Sequence, residues 1–314
     1  DAKTYKKSQY TDKNVENKFA DADLNYWADD DQKITYLTRN DWKNTFPTTV
    51  TTLHANERIV DGLRMDQYKK TAETPSYKAM IGKEVDVELE EPIDFIDMKN
   101  VPFEDEKWDK FISQLTLDEL CVSVSDARGI AAVAKVNKPM NAIAEGPEGL
   151  LAKFKYGDKR ACTGFATLPT TTATWDHVMQ GRYGEMMGEE ALFSGVAMVN
   201  APGCNIIRTP YGSRASEYMS EDGVLSYYSV SNIISMTRKK GLICNVKHCF
   251  LNNQETNRQG VSTFANEQSI REIYLRPFEG ALTRGESMGI MTSYNRTGVL
   301  WSGGNYNLVT EILR

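Results

Sequence analysis

Residues 242–258 read Leu242-Ile243-Cys244-Asn245-Val246-Lys247-His248-Cys249-Phe250-Leu251-Asn252-Asn253-Gln254-Glu255-Thr256-Asn257-Arg258. The apolar run Leu242 to Val246 has the length and composition of a buried strand. It ends by delivering Lys247 and His248, followed by a loop of amides, Glu255 and Arg258. Such a set suits a polyol: amides and carboxylates exchange hydrogen bonds with hydroxyls, and the cations fix orientation by charge-assisted bonds. The plainer alternative is a polar loop whose side chains cap their own turn.

Outward from this stretch, further apolar runs at 141–144, 164–168, 196–202 and 288–292 read as strands. Helical patterns alternate with them. One spans 105–126, with a capping-box spacing Thr116 to Glu119 that restarts it after Leu115. Another runs from Asp176 to Ser194 and stops at Gly195. The next starts at Ser220 as N-cap and ends at Lys239-Lys240-Gly241, with acid at its start and base at its end. The last begins near Asn266, with Pro277 set to kink or reset it. Polar residues follow the strands: Glu145, then Asn205 and Arg208, then Lys247 and His248, then Asn295. Convergence at strand C-termini is how a (β/α) barrel presents its site, although the periodicity alone also permits an open doubly wound sheet.

Before residue 105 the pattern differs. Residues 1–33 are polar with no clear core face, 34–38 read as a short strand, and 41–47 as a turn burying aromatics. Residues 83–91 alternate Val85, Val87 and Leu89 against Glu84, Asp86, Glu88 and Glu90, the pattern of a strand with a solvated acidic face. The division is therefore an N-terminal linker or bridging region, 1–104, and an α/β barrel domain, 105–314.

The Lys247-His248 segment resembles the Lys-His motif of glycoside hydrolase family 3, the family of β-glucosidases and β-xylosidases. Further stretches match in order: Glu145-Gly146-Pro147 with Gly149; Arg208-Thr209-Pro210; Ser213-Arg214 with Glu217 through Asp222; Arg271 to Leu275 with Pro277-Phe278; and Ser293-Tyr294-Asn295-Arg296. The resemblance implies a TIM-type (β/α)8 barrel, a retaining glycosidase mechanism through a covalent glycosyl–enzyme, and a small carbohydrate substrate. It implies a sugar-binding set of Glu145, Arg208, Arg214, Lys247, His248, Arg258 and Met291. Glu145 stands where the family usually has aspartate, which moves its carboxylate about 1.5 Å outward. Ser213 and Ser216 replace a glycine and an aromatic. Tyr36 to Trp42 and Phe46-Pro47-Thr48 are similar to a linker of a permuted subgroup, in which an α/β sandwich domain precedes the barrel. Retaining hydrolysis needs two carboxyl groups about 5 Å apart. The family places its nucleophile on the strand following the segment that matches Leu308–Arg314, so neither catalytic residue is assigned here. The sequence reads as a fragment of a barrel incomplete at its C-terminal end, with the remaining strands and the sandwich domain as its missing partners.

Composition narrows the rest. In 314 residues, a net charge of −6 without a basic stripe argues against a nucleic-acid surface. No apolar run reaches the length of a membrane span. Five cysteines without CxxC spacing favour free thiols and a cytoplasmic location. Three histidines without metal-ligand spacing argue against a metal, and no cofactor is expected. Whether the protein is a homo-oligomer is left open. Met179, Met186 and Met187 read as core packing, Asp222 as a helix cap, and Lys247 as able to pair with Glu255 or Glu145. Asn295-Arg296-Thr297 is a glycosylation sequon on paper, discounted for its position. Two other functions compete: a non-catalytic carbohydrate-binding relative, motivated by Glu145 and the altered Arg214 motif, and a Schiff-base aldolase using Lys247.

Overall fold

Alternation of apolar strands with helices produces a parallel sheet whose outer face the helices cover. The computed structural model describes residue 7 and residues 12–36, 54–64, 84–125, 129–151, 162–212 and 214–314. Its main sheet contains β1 (Gly129–Ile130), β2 (Asn141–Glu145), β3 (Val196–Asn200), β4 (Ile243–Cys249) and β6 (Gly289–Thr292), in the order β1-β2-β3-β4-β6. The last four are parallel, and β1 runs antiparallel to β2. A second sheet of β5 (Ser262–Thr263), β7 (Arg296–Thr297) and β8 (Leu300–Trp301) forms beside the β4 and β6 ends. Among the described residues the sheet thus forms an incomplete (β/α) barrel, an arc rather than a closed cylinder. Five apolar runs read as strands, whereas the described residues contribute four parallel strands to this sheet.

Helices His177–Ser194 and Gly223–Lys239 pack side by side against the sheet. Glycine makes that approach possible: a Cβ on Gly184 would lie 2.1 Å from the carbonyl oxygen of Ile233. Between helices and sheet lie Met187, Val199, Val230, Ile233, Cys244 and Val246, all buried. Each large aliphatic side chain removed from water this way contributes about 1.5–3 kcal/mol. Gly195 ends the first helix at φ 70°, as its position predicted. The second helix is capped not by Ser220 but by Asp222, which accepts from the Leu225 amide at 2.7 Å; Ser220 supports the Asp222 amide instead. Three-residue spacing from cap to N3 favours the aspartate.

Several expectations change. The 105–126 helix divides into Lys107–Ser113 and Leu117–Ser125, restarted by Thr116 and Glu119 as a reciprocal cap. The 164–168 run is no strand: residues 162–167 are irregular and Leu168–Ala173 is helical, with Pro169 in its first turn where its missing N–H costs nothing. The 84–91 stretch keeps its in–out alternation but pairs with no strand. It runs extended beside residues 113–115, where Asp86 and Val87 donate to Leu115 and Ser113 carbonyls. A φ of 61° at Asp86 breaks the pleat there. Residues 34–36 are irregular, while 37–38 and the 41–47 turn lie outside the described residues. Met187 is core, but Met179 and Met186 are each 52% exposed on the outer face of their helix.

Residues 12–33 also bury more than their polarity suggested. Phe19 and Ala22 are fully covered, Phe19 edge-on to Phe250 at 5.7 Å. Ala265 donates to the Ala22 carbonyl, and Asn307 Nδ2 donates to the Lys18 carbonyl at 2.7 Å. A smaller core joins Met98, Phe111, Leu115, Val133 and Val136. Among the described residues no helix is long and apolar enough to cross a membrane.

Candidate active site

Alternation along β4 sends Cys244 and Val246 toward the helices, which leaves Asn245 and Lys247 for the concave face. The same rule on β2 and β3 buries Ala144 and Val199 and turns Glu145 and Asn200 inward. The inward residues form a ladder across three strands. Asn245 Nδ2 donates to Asn200 Oδ1 at 3.0 Å, and Asn200 Nδ2 donates to Glu145 Oε1 at 2.7 Å. The sequence signal for this ladder was an asparagine inside each of two apolar strand runs. A polar group buried in a strand requires a partner, and that inference was open at Asn200 and Asn245.

Lys247, with a side chain 4% exposed, places Nζ 3.1 Å from Glu217 Oε2 and 3.6 Å from Glu145 Oε2. Glu217 is held on its other side by Arg214, through Nε to Oε1 at 2.9 Å and Nη2 to Oε2 at 2.8 Å. Burial pushes the Glu217 carboxyl up, but the Arg214 hydrogen bonds and the Lys247 charge outweigh it and hold it at about 2. For Arg214, burial disfavours the charge and Glu217 more than compensates, so its affinity for the proton rises. Both Glu217 oxygens are occupied, so this carboxylate organises cations and is not free to attack a sugar. The Lys247 partners are therefore Glu217 and Glu145; Glu255 pairs elsewhere.

His248 is also buried, 6% exposed, its backbone N–H and C=O both bound by Asn205 at 2.7 and 2.9 Å. Its Nδ1 is 3.3 Å from Tyr218 Oη. Asn252 Nδ2 reaches both Tyr218 Oη at 2.7 Å and Glu255 Oε1 at 2.9 Å, and Arg258 binds Glu255 Oε2 at 2.6 Å. Burial, then the Arg214 and Lys247 charges, push His248 down to about 3, so its ring is neutral.

Glu145, Arg214, Ser216, Glu217 and Lys247 line a cleft of roughly 370 Å³ at the strand C-termini, walled by the Gly146–Leu151 loop and residues 162–164. That loop turns on Gly146 (φ 124°) and Gly149 (φ 126°), and Tyr183 donates its hydroxyl proton to the Pro147 carbonyl. Arg208 is outside this cleft: exposed, 6.0 Å from the Tyr274 ring centroid, and bordering a small cavity that Arg214 and Glu255 also line. Arg258 stacks over Tyr294 at 5.0 Å. Met291 sits half-buried on β6 and is not among the residues lining the cleft. Ser213 lies outside the described residues. Asn295 of the sequon is fully buried, its amide donating to the Phe250 carbonyl at 3.2 Å. The residues missed by sequence are Asn200, Asn245, Tyr218 and Asn252.

The Glyco_hydro_3 model, described as the glycosyl hydrolase family 3 N terminal domain, matches residues 151–314. A probable β-glucosidase I of Aspergillus niger is 35% identical over 185 residues, covering 59% of this chain and 22% of the relative. An exo-α-(1→6)-L-arabinopyranosidase of Bifidobacterium longum is 32% identical over 212 residues, covering 65% and 28%. Among solved structures, β-glucosidase 3B from Thermotoga neapolitana in complex with glucose superposes with a TM-score of 0.62 at 32% identity, covering 67% of this chain and 32% of that one. The chain thus spans about a quarter of the length of the curated relatives it matches. With more than half of its residues matched by that model, and its parallel strands delivering Glu145 and Lys247 to one cleft, the chain belongs to glycosyl hydrolase family 3.

Proposed function

We propose that this chain supplies the sugar-gripping half of a glycoside hydrolase that cleaves small β-glucosides or β-xylosides with retention. The observation that carries the reading is the Glu145–Lys247–Glu217–Arg214 cluster lining the cleft. Lys247 is a pure donor and Glu145 an acceptor, and Asn200 holds Glu145 from behind. Together they can bind one hydroxyl as donor and as acceptor, which is the pattern a pyranose offers. The nucleophile and the acid/base are assigned to segments other than the described residues, as the family resemblance implies. Two carboxylates against Lys247 suit an ion pair better than a Schiff-base nucleophile, which must first lose a proton. Five free cysteines support a cytoplasmic location.

The test is turnover by the natural full-length protein on aryl β-D-glucoside, β-D-xyloside and α-L-arabinopyranoside. The last is included because a relative carries that activity in its name. Release of aryl alcohol from one or more supports the reading. Absence of turnover with glucose binding retained in calorimetry would replace it with the non-catalytic carbohydrate-binding alternative.

A further inference from the structure

Resting on the glycosidase reading, we infer that Asn252 and Tyr218 hold His248 as the tautomer protonated on Nε2, so that the imidazole offers a sugar oxygen a donor. The argument begins at Glu255, anchored by Arg258 at 2.6 Å and near Arg214 at 4.0 Å. An ionised carboxylate only accepts hydrogen bonds, so the end of the Asn252 amide facing it is the NH₂. That same nitrogen lies 2.7 Å from Tyr218 Oη, so Asn252 donates to the phenol oxygen. Turning the amide over would set its oxygen against Glu255, a repulsion that outweighs the buried Asn252 Oδ1 left without a partner in the orientation adopted.

The phenol then has one proton of its own and is 5% exposed. A buried O–H requires an acceptor, and His248 Nδ1 stands 3.3 Å away. A ring nitrogen that accepts is bare, and a neutral imidazole then carries its single proton on the other nitrogen. Burial, joined by the Arg214, Lys247 and Arg258 charges against that of Glu217, keeps this ring neutral. Asn205, clamping both backbone groups of His248, fixes where the ring stands.

The consequence concerns substrate class. Lys247 lines the cleft and His248 follows it in the chain, so a glycone that reaches both must bring oxygen lone pairs to two donors. Its hydroxyl protons then fall to Glu145, the acceptor on the cleft side. Tyr218 and Asn252 are positioning residues in this scheme, acting only through His248.

Magic-angle-spinning NMR on the sedimented full-length protein, labelled with ¹⁵N and ¹³C at histidine, reads the tautomer directly. His248→Gln assigns the signal by removing it. The expected wild-type spectrum shows Nδ1 in the unprotonated and Nε2 in the protonated region. Tyr218→Phe removes the donor to Nδ1, and Glu255→Gln lets the Asn252 amide turn over. Both should move signal toward protonated Nδ1 and weaken glucose binding about five-fold, the size of one neutral hydrogen bond. Protonated Nδ1 in the wild type overturns the inference, as does a tautomer unchanged in both variants. A glycosidase with protonated Nδ1 sinks only this inference; a protein with protonated Nε2 and no turnover sinks only the catalytic reading.

Discussion

Glu217→Gln keeps the shape of the side chain and removes the charge between Arg214 and Lys247. The carboxyl falls from its ordinary 4.5 to about 2 in the fold. Each tenfold change in proton affinity corresponds to about 1.4 kcal/mol, so the charged form contributes on the order of 3 kcal/mol at neutral pH. The side chain is 22% exposed, shielded enough that solvent does not screen most of this away. Because the folded value lies below the unfolded one, the stabilisation is complete above about pH 4.5 and is lost as pH falls through about 2. Urea unfolding of wild type and variant, followed by tryptophan fluorescence, measures it. With an m-value of about 3 kcal/mol/M, the midpoint should fall by roughly 1 M at pH 7, and the gap should close toward pH 2. A difference below about 0.5 kcal/mol at pH 7, the ordinary scatter of surface substitutions, would refute the reasoning. So would a gap as wide at pH 2 as at pH 7.

Three further outcomes are expected. Asn200→Ala takes the donor from Glu145 and the acceptor from Asn245, so steady-state kinetics of the full-length protein should show KM raised about five- to ten-fold, with kcat changed less; an unchanged KM would remove Asn200 from the site. Gly149→Ala adds a Cβ 2.2 Å from the Thr163 carbonyl oxygen at φ 126°, and thermal denaturation should show a loss of about 2 kcal/mol or more. Asp222→Ala should cost about 1 kcal/mol as a lost helix cap and leave KM for an aryl glycoside untouched; a KM change would give this residue a role beyond capping.

What could be read from residues alone was whatever depended on local periodicity. The helix start near Asp176, the Gly195 stop, the Thr116–Glu119 restart and the strand ending near Lys247 each follow from a handful of neighbours. The 164–168 run misled because five mostly apolar residues fit a buried strand and a helix start equally well, and only Pro169 hinted at the outcome. The 84–91 segment shows the opposite failure: its alternation is real, but strand pairing depends on a partner that periodicity cannot name. The site divides the same way. Lys247, Glu145 and Arg214 lie in legible motifs, and the fold brings them together. Arg208 and Met291 come from the same kind of motif yet do not line that cleft. The Asn200–Asn245 and Asn252–Tyr218 links join residues 34 to 45 positions apart, and no local pattern encodes such pairs.

Phe19 closes on the back of Phe250, the residue that begins the loop after Lys247 and His248. On the ribosome Phe19 is made long before Phe250. At 5–20 residues per second the intervening chain takes on the order of 10–50 s to emerge. For that interval Phe19, which ends with no solvent exposure, lacks its Phe250 partner. The Asn307 bond to Lys18 comes later still. This part of the core therefore closes only after residue 250 has been made. Translation speed through residues 20–250 becomes a variable in how much of this protein reaches the folded state.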